Sequence, residues 1–420
     1  MSKNVLVLHR LVFQKSSLRN LIYFYWYACM HLDRNLYQQG TSVVINCLQT
    51  VHTRGMSASN DLIYFEEVDD GRHVKTVTDG LDEEIEIIVT RMAKSNQKEL
   101  FGFGQSSIVL VDKKLYAFGG CNRNGAIVDN ALRCFDIKRR SKWKVLTHLS
   151  QGREPTARFG HTAVAYKKKI YIFGGQVVTS DNGESNSIFQ SCNEFYCYDT
   201  KAMEWSPIHC KGKESKYNES PSPRHSHTAI VVGNEMIIFG GTTSNGRIMF
   251  DDTWTFNFCD MRWSQISCQL KPLGRELHSA ISVEFKMFVV GGRTANGVSK
   301  EIWILDLSRH KWSQIGAELT CPRCCHSSII FKKRLCIFGG CNESSILENF
   351  VFFNLESLLP KECSASLNFD PSIEIGRVGH SVCVIEPCSE VVIFGGVTMK
   401  NDLNDILSFK MNSILDDNKS

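Results

Sequence analysis

Five arginines stand three residues before a histidine in a repeated pattern, Arg-x-x-His-[Ser/Thr]: Arg158/His161, Arg224/His227, Arg275/His278, Arg323/His326 and Arg377/His380. A guanidinium holds a carboxylate through two parallel hydrogen bonds, and an imidazole is the commonest proton carrier near neutral pH. As binding chemistry, the five arginines form a candidate rim for an acidic or carboxylate-bearing peptide. As architecture, they are repeat residues bonded within their own unit. The histidines recur identically, which favours structure, because catalysis needs one distinctive constellation of acid, base and nucleophile.

Other chemistry finds little support. Cys321-Pro-Arg-Cys324-Cys325-His326 has the look of half a zinc site. A structural zinc takes four ligands and usually two such pairs, and no second C-x-x-C exists, so neither metal nor cofactor is expected. There is no Gly-rich phosphate loop, H-E-x-x-H or G-x-S-x-G, so no enzyme is expected. Lys and Arg number 48 against 44 Asp and Glu, which gives no overall pull toward nucleic acid or anionic lipid. The 17 cysteines lie partly inside apolar runs, as at Cys134, Cys197, Cys336 and Cys383, where they act as small hydrophobes. With no secretory signal evident, an intracellular setting, cytoplasmic or nuclear, is expected. The aromatic run from Leu21 to Met30 is about half the ~20 residues a bilayer span needs, so no membrane span is expected.

The elements that must position these residues repeat as well. Twelve of the 30 glycines form six pairs: Gly119-Gly120, Gly174-Gly175, Gly240-Gly241, Gly291-Gly292, Gly339-Gly340 and Gly395-Gly396. Each pair ends a short apolar run (LYAF, IYIF, MIIF, MFVV, LCIF, VVIF). From His to the first Gly the gap is 13 residues four times and 15 in the last unit, the excess falling at Pro387-Cys388. Between them the sequence reads strand, tight turn, strand. Downstream comes a third strand ending at Asp136, Asp199, Asn257, Asp306 or Asn354, then Trp143, Trp205, Trp263 or Trp312 on a fourth. Units of ~50 residues with four short strands read as β-propeller blades.

With these elements in fixed order, residues 85–412 resemble the kelch repeat family. The first unit lacks the Arg and His and the fifth lacks the Trp. The expected fold is all-β: a six-bladed kelch-type propeller of four-stranded antiparallel blades. It follows an N-terminal extension, residues 1–84, and precedes a short tail, 413–420. Charge contrast lies toward this end of the chain, with six basic against one acidic residue across 1–60 and eleven acidic against five basic across 61–100. The glycines permit close backbone approach near the axis, and the tryptophans fill the widening gap between blades.

The resemblance implies a scaffold or adaptor that presents the loops of one propeller face to protein or peptide partners. Alternatives are the non-catalytic propeller of a larger enzyme, such as a tRNA-modifying methyltransferase, or a ubiquitin-ligase substrate receptor, although no BTB or F-box pattern is visible. Two long loops, Gln176 to Cys192 and His209 to Pro223, are candidates for recognition; Ser220-Pro and Ser222-Pro in the second are candidate phosphorylation sites.

No fourth strand follows Lys410 in the sixth unit, so its donor is expected from Glu86 to Thr90. Deleting residues 80–92 is expected to lower the unfolding temperature sharply in a thermal melt; an unchanged transition contradicts closure by this strand.

Overall fold

The computed structural model describes residues 85–94 and, with short interruptions, 104–413. The extension before residue 85, the tail after 413 and the Pro387-Cys388 turn lie outside the described residues. The described residues contain no α-helix, only strands and a single 3-10 turn at Thr147–Leu149.

Six sheets of four or five strands follow one another along the chain, and two small three-stranded sheets, around Gln176–Thr179 and Arg293–Thr294, form from the loops and connections of the second and fourth. Each of the six begins with the hairpin read from the sequence. In the second sheet Thr162–Tyr166 pairs with Lys169–Phe173, then comes Phe195–Asp199, then Glu204–Pro207. Innermost strands Ser107–Val111, Thr162–Tyr166, Thr228–Val232, Ser279–Val283, Ser327–Phe331 and Ser381–Ile385 each neighbour the next, and the last neighbours the first. The sixth sheet contains both ends of the described chain. Ile85–Lys94 runs antiparallel to Asp405–Ser413, with Ile87 opposite Met411 and Val89 opposite Phe409. Ile87 and Val89 are buried in the layer between the fifth and sixth sheets.

Two sheets differ from the four-stranded expectation. The second gains Gln151–Gly152 and the sixth gains Ser366–Asn368, each as a parallel fifth strand on the outer edge. An outermost strand leaves a row of unpaired backbone groups, and the incoming connection satisfies part of it.

The core lies between the sheets. Apolar clusters join the first sheet to the second, the second to the third, and so on around to the sixth and first. Strands such as Glu235–Phe239 are therefore covered on both faces, which is why the run before each Gly-Gly is continuously apolar. Trp205, Trp263 and Trp312 are buried on fourth strands. Each packs on the phenylalanine that ends the second strand of the preceding sheet: Trp205 on Phe118 at 5.7 Å, Trp263 on Phe173 at 5.1 Å, Trp312 on Phe239 at 5.0 Å. Trp143 packs likewise on Phe394, between the first and sixth sheets. In the sixth sheet, which has no such Trp, Phe409 meets Phe338 at 5.3 Å.

The Gly-Gly pairs are set by close approach and backbone sign together. Gly241 has φ +92°, and a Cβ there would sit 2.7 Å from the His225 carbonyl oxygen and 2.8 Å from the His227 Cβ. Gly233, in a hairpin turn, shares the left-handed sign at φ +59° but faces open space. Gly233→Ala is expected to cost about 1 kcal/mol for the backbone alone. Gly241→Ala is expected to cost on the order of 3 kcal/mol or more, because backbone must also shift. Chemical denaturation of the two variants checks the ordering.

Candidate functional site

The five arginines do not form a rim. All five side chains are fully buried. Each runs inside its own sheet, its Nη1 donating to the carbonyl of the first glycine of the pair: Gly174, Gly240, Gly291, Gly339 and Gly395, at 2.9–3.3 Å. Four also meet a carboxylate at the entrance to the third strand: Glu194 at 2.5 Å, Asp252 at 2.6 Å, Glu301 at 2.6 Å and Asp405 at 2.8 Å. Arg323 meets the amide oxygen of Asn349 at 3.3 Å. Burial works to raise the Asp252 and Glu301 carboxyls, but the hydrogen bonds and charge of Arg224 and Arg275 hold both below the usual range. The expectation of a basic rim for an acidic peptide is thus corrected: these guanidinium groups are engaged within the sheets, where the glycine carbonyls and the carboxylate or amide at the third strand take their hydrogen bonds.

Around the axis the residue before each repeat histidine, with Gln105 at the matching place in the first sheet, adopts a left-handed backbone. These are Gln105, Gly160, Ser226, Leu277, Cys325 and Gly379, with φ of 52–64°. Each amide donates to the carbonyl of its neighbour: Gly160 to Gln105, Ser226 to Gly160, Leu277 to Ser226, Cys325 to Leu277, Gly379 to Cys325, Gln105 to Gly379. These six bonds of 2.7–3.1 Å return to their starting residue. They border an axial cavity of about 160 Å³ lined by the six left-handed residues, Ser106 and the five histidines.

The histidines bind sheet to sheet. Nε2 of His161, His227, His278 and His326 shares a hydrogen bond of 2.8–2.9 Å with Ser107, Thr162, Thr228 and Ser279 of the preceding sheet. Burial, reinforced by the neighbouring arginine charge, lowers His161, His278 and His380 to about 3 and holds His227 and His326 well below their ordinary value. Five neutral, enclosed imidazoles are poor proton carriers at pH 7.

Next to this constant ring is a tier that changes from sheet to sheet. The residue before each left-handed position pairs across to the residue after Gly-Gly: Gly104 with Cys121, Phe159 with Gln176, His225 with Thr242, Glu276 with Arg293, Cys324 with Cys341, Val378 with Val397. One position in one repeat thus holds an aromatic, an imidazole, an ion pair, two thiols or two valines. Glu276 is fully buried and accepts from Arg293 Nε at 2.8 Å. The carboxylates at the third-strand entrance, Glu276–Arg293 and the partnership of Cys341 with Cys324 were missed from the sequence. The first had a signal, since Asp, Glu or Asn precedes or opens the third strand in these five units, but loops of unequal length obscure it.

Exposed apolar side chains concentrate on the loops of this same face: Val178, Ile248 and Met399 between second and third strands, and Leu270 and Leu273 between the third and fourth sheets. Of the long loops singled out, residues 180–187 and 210–219 lie outside the described residues. Ser220 is partly buried and Ser222 exposed.

The histidine burial has a consequence for stability. Below about 6.5 the unfolded chain protonates its histidines, whereas the folded chain resists until the pH nears 3. The unfolded state then binds more protons, so stability is full above that value and is lost as pH falls. Each histidine contributes up to about 1.4 kcal/mol per pH unit in that window. Thermal melts are expected to give a plateau above pH 7 and a steep decline toward pH 5; a flat profile contradicts neutral burial.

Comparison with known proteins agrees with this architecture. The KLHDC2/KLHL20/DRC7 Kelch-repeats domain model matches residues 105–340. Kelch domain-containing protein 3 of Rattus norvegicus is 29% identical over 253 residues, 57% of this chain and 61% of that protein. Kelch domain-containing protein 1 of Homo sapiens is 27% identical over 251 residues, 55% of this chain and 59% of that protein. The Leucine-zipper-like transcriptional regulator 1 homolog of Drosophila melanogaster is 27% identical over 322 residues, 73% of this chain and 31% of that protein. The chain thus spans about three fifths of the length of the first two relatives. With the family model covering more than half of the chain, and with the repeat geometry above, the chain belongs to the kelch-repeat family and has a kelch β-propeller fold.

Proposed function

We propose that this chain is a non-catalytic protein-interaction module, a six-bladed propeller that engages partners through the face carrying the second-to-third-strand loops. The observation behind this reading is a division of labour. The residues constant from sheet to sheet (Arg, His, Gly-Gly, Trp) are mostly buried and bonded to one another. Residues that vary, together with exposed Val178, Ile248, Leu270, Leu273 and Met399, gather on one face. Exposed apolar side chains grouped on variable loops around a rigid frame are what a protein partner buries. The partner is a protein or peptide with apolar anchors. Among the described residues, no helix is long and apolar enough to cross a membrane.

Affinity purification with quantitative mass spectrometry tests this reading. An Ile248→Glu/Leu273→Glu variant is expected to lose captured partners by roughly tenfold or more, the scale of a buried anchor. Phe285→Glu, on the exposed turn of the first hairpin in the fourth sheet, is expected to leave the partner set unchanged. The opposite pattern, with melting temperatures unchanged, assigns binding to the other face and overturns the reading.

A further inference from the structure

Cys324, Cys325 and Cys341 bring their three Sγ atoms within 4.8 Å of one another, buried beside the axial cavity. The fold builds this convergence. Cys324 and Cys341 face each other across a hydrogen-bonded pair, each amide donating to the other's carbonyl at 2.9 Å, with Sγ atoms 3.7 Å apart. Successive side chains of an extended strand point to opposite sides. Cys325 departs from that alternation through its left-handed backbone, φ 57°, so its thiol turns toward the other two. The surroundings are apolar: Leu277, Val378 and Val397 are buried against the cysteines, with Val298 and Ile346 partly buried beside them. Cys325 also lines the axial cavity, which supplies an entry path.

We propose that these three cysteines form a binding site for a soft monovalent cation, copper(I), in three-coordinate sulfur ligation. Three metal–sulfur bonds of ~2.3 Å in one plane set the sulfurs roughly 4.0 Å apart; Cys324 and Cys341 stand at 3.7 Å, and all three sulfurs lie within 4.8 Å. Structural zinc takes four ligands, and among the described residues no fourth His, Cys, Asp or Glu joins this set. Thiolates in an apolar pocket favour copper(I) over harder ions. The step involves no electron transfer: copper enters as copper(I), a Cu–S bond forms at each cysteine, and each thiol that binds as thiolate releases its proton to solvent.

The fold supplies its own control. Val378 and Val397 occupy in the sixth sheet the positions that Cys324 and Cys341 hold in the fifth. A Cys324→Val/Cys341→Val variant therefore carries a pair this architecture already accommodates. The reduced full chain is titrated anaerobically with copper(I) against a chromophoric copper(I) chelator. The wild type is expected to retain one copper per chain, with X-ray absorption giving sulfur scatterers at ~2.3 Å. The valine variant is expected to melt normally and to lose affinity by more than the roughly 10–100-fold that loss of a group behind the ligands costs. Cys121→Ser, at the Cys341 position of the first sheet, is expected to retain the metal. Failure of the wild type to compete with the chelator, or equal retention by the valine variant, overturns the site. Should the valine variant fail to melt cooperatively, Cys325→Ser decides: full retention there overturns the proposal, and loss supports it.

Discussion

The structure depends on getting six sheets to meet at one axis without leaving backbone groups unpaired. Space near the axis is scarce, and a strand entering it must turn sharply. A left-handed residue in each sheet makes that turn, and its amide and carbonyl then face its neighbours around the ring, giving six hydrogen bonds with no free end. The other repeat features follow. The second glycine of a pair donates to the arginine carbonyl of the next sheet at 2.8–3.0 Å, as Gly120 does to Arg158 and Gly340 does to Arg377. The arginine side chain reaches back along its own sheet to the first glycine's carbonyl, and its charge is met at the third strand. Histidine and phenylalanine pack edge to face between sheets, as His227 does on Phe173. Each contact joins either two strands of one sheet or two neighbouring sheets, so stability is distributed around the ring.

That arrangement separates frame from function. A repeat position that carries charge in five units would be a costly place to bind a partner, because removing one buried guanidinium strands its carboxylate. The tier beside it is not held to one chemistry from sheet to sheet. Phe159, His225, Glu276, Cys324 and Val378 occupy one structural position with five different chemistries, since only their backbone pairing is required by the fold. A propeller can thus change what it recognises without changing how it closes.

Much of the fold was legible because the signals were local and repeated. The hairpins, the Gly-Gly endings and the tryptophan strands depend on alternation, turn residues and fixed spacing. The pairing of Ile85–Lys94 with Asp405–Ser413 was legible by subtraction, since the last unit had three strands and a plausible fourth lay upstream. The arginines were legible as repeat elements but not as buried ones. Burial was decided by Glu194, Asp252, Glu301 and Asp405, which stand 26–36 residues away across loops of unequal length. The parallel fifth strands were invisible, because Gln151–Gly152 and Ser366–Asn368 pair only where an edge happens to need them.

The amino-acid sequence by itself determined the repeat, the strand order within a unit and the family, because these rest on neighbours within about fifty residues. Tertiary structure alone decided which polar side chains are enclosed and which distant cysteines meet. Cys324-Cys325 reads as half of an unfinished motif in one dimension. Cys341 lies 16 residues beyond Cys325, at no recognisable ligand spacing, yet a hairpin and a left-handed turn bring all three sulfurs together. Proximity of that kind is a property of backbone direction in space, which residue types along a line do not encode.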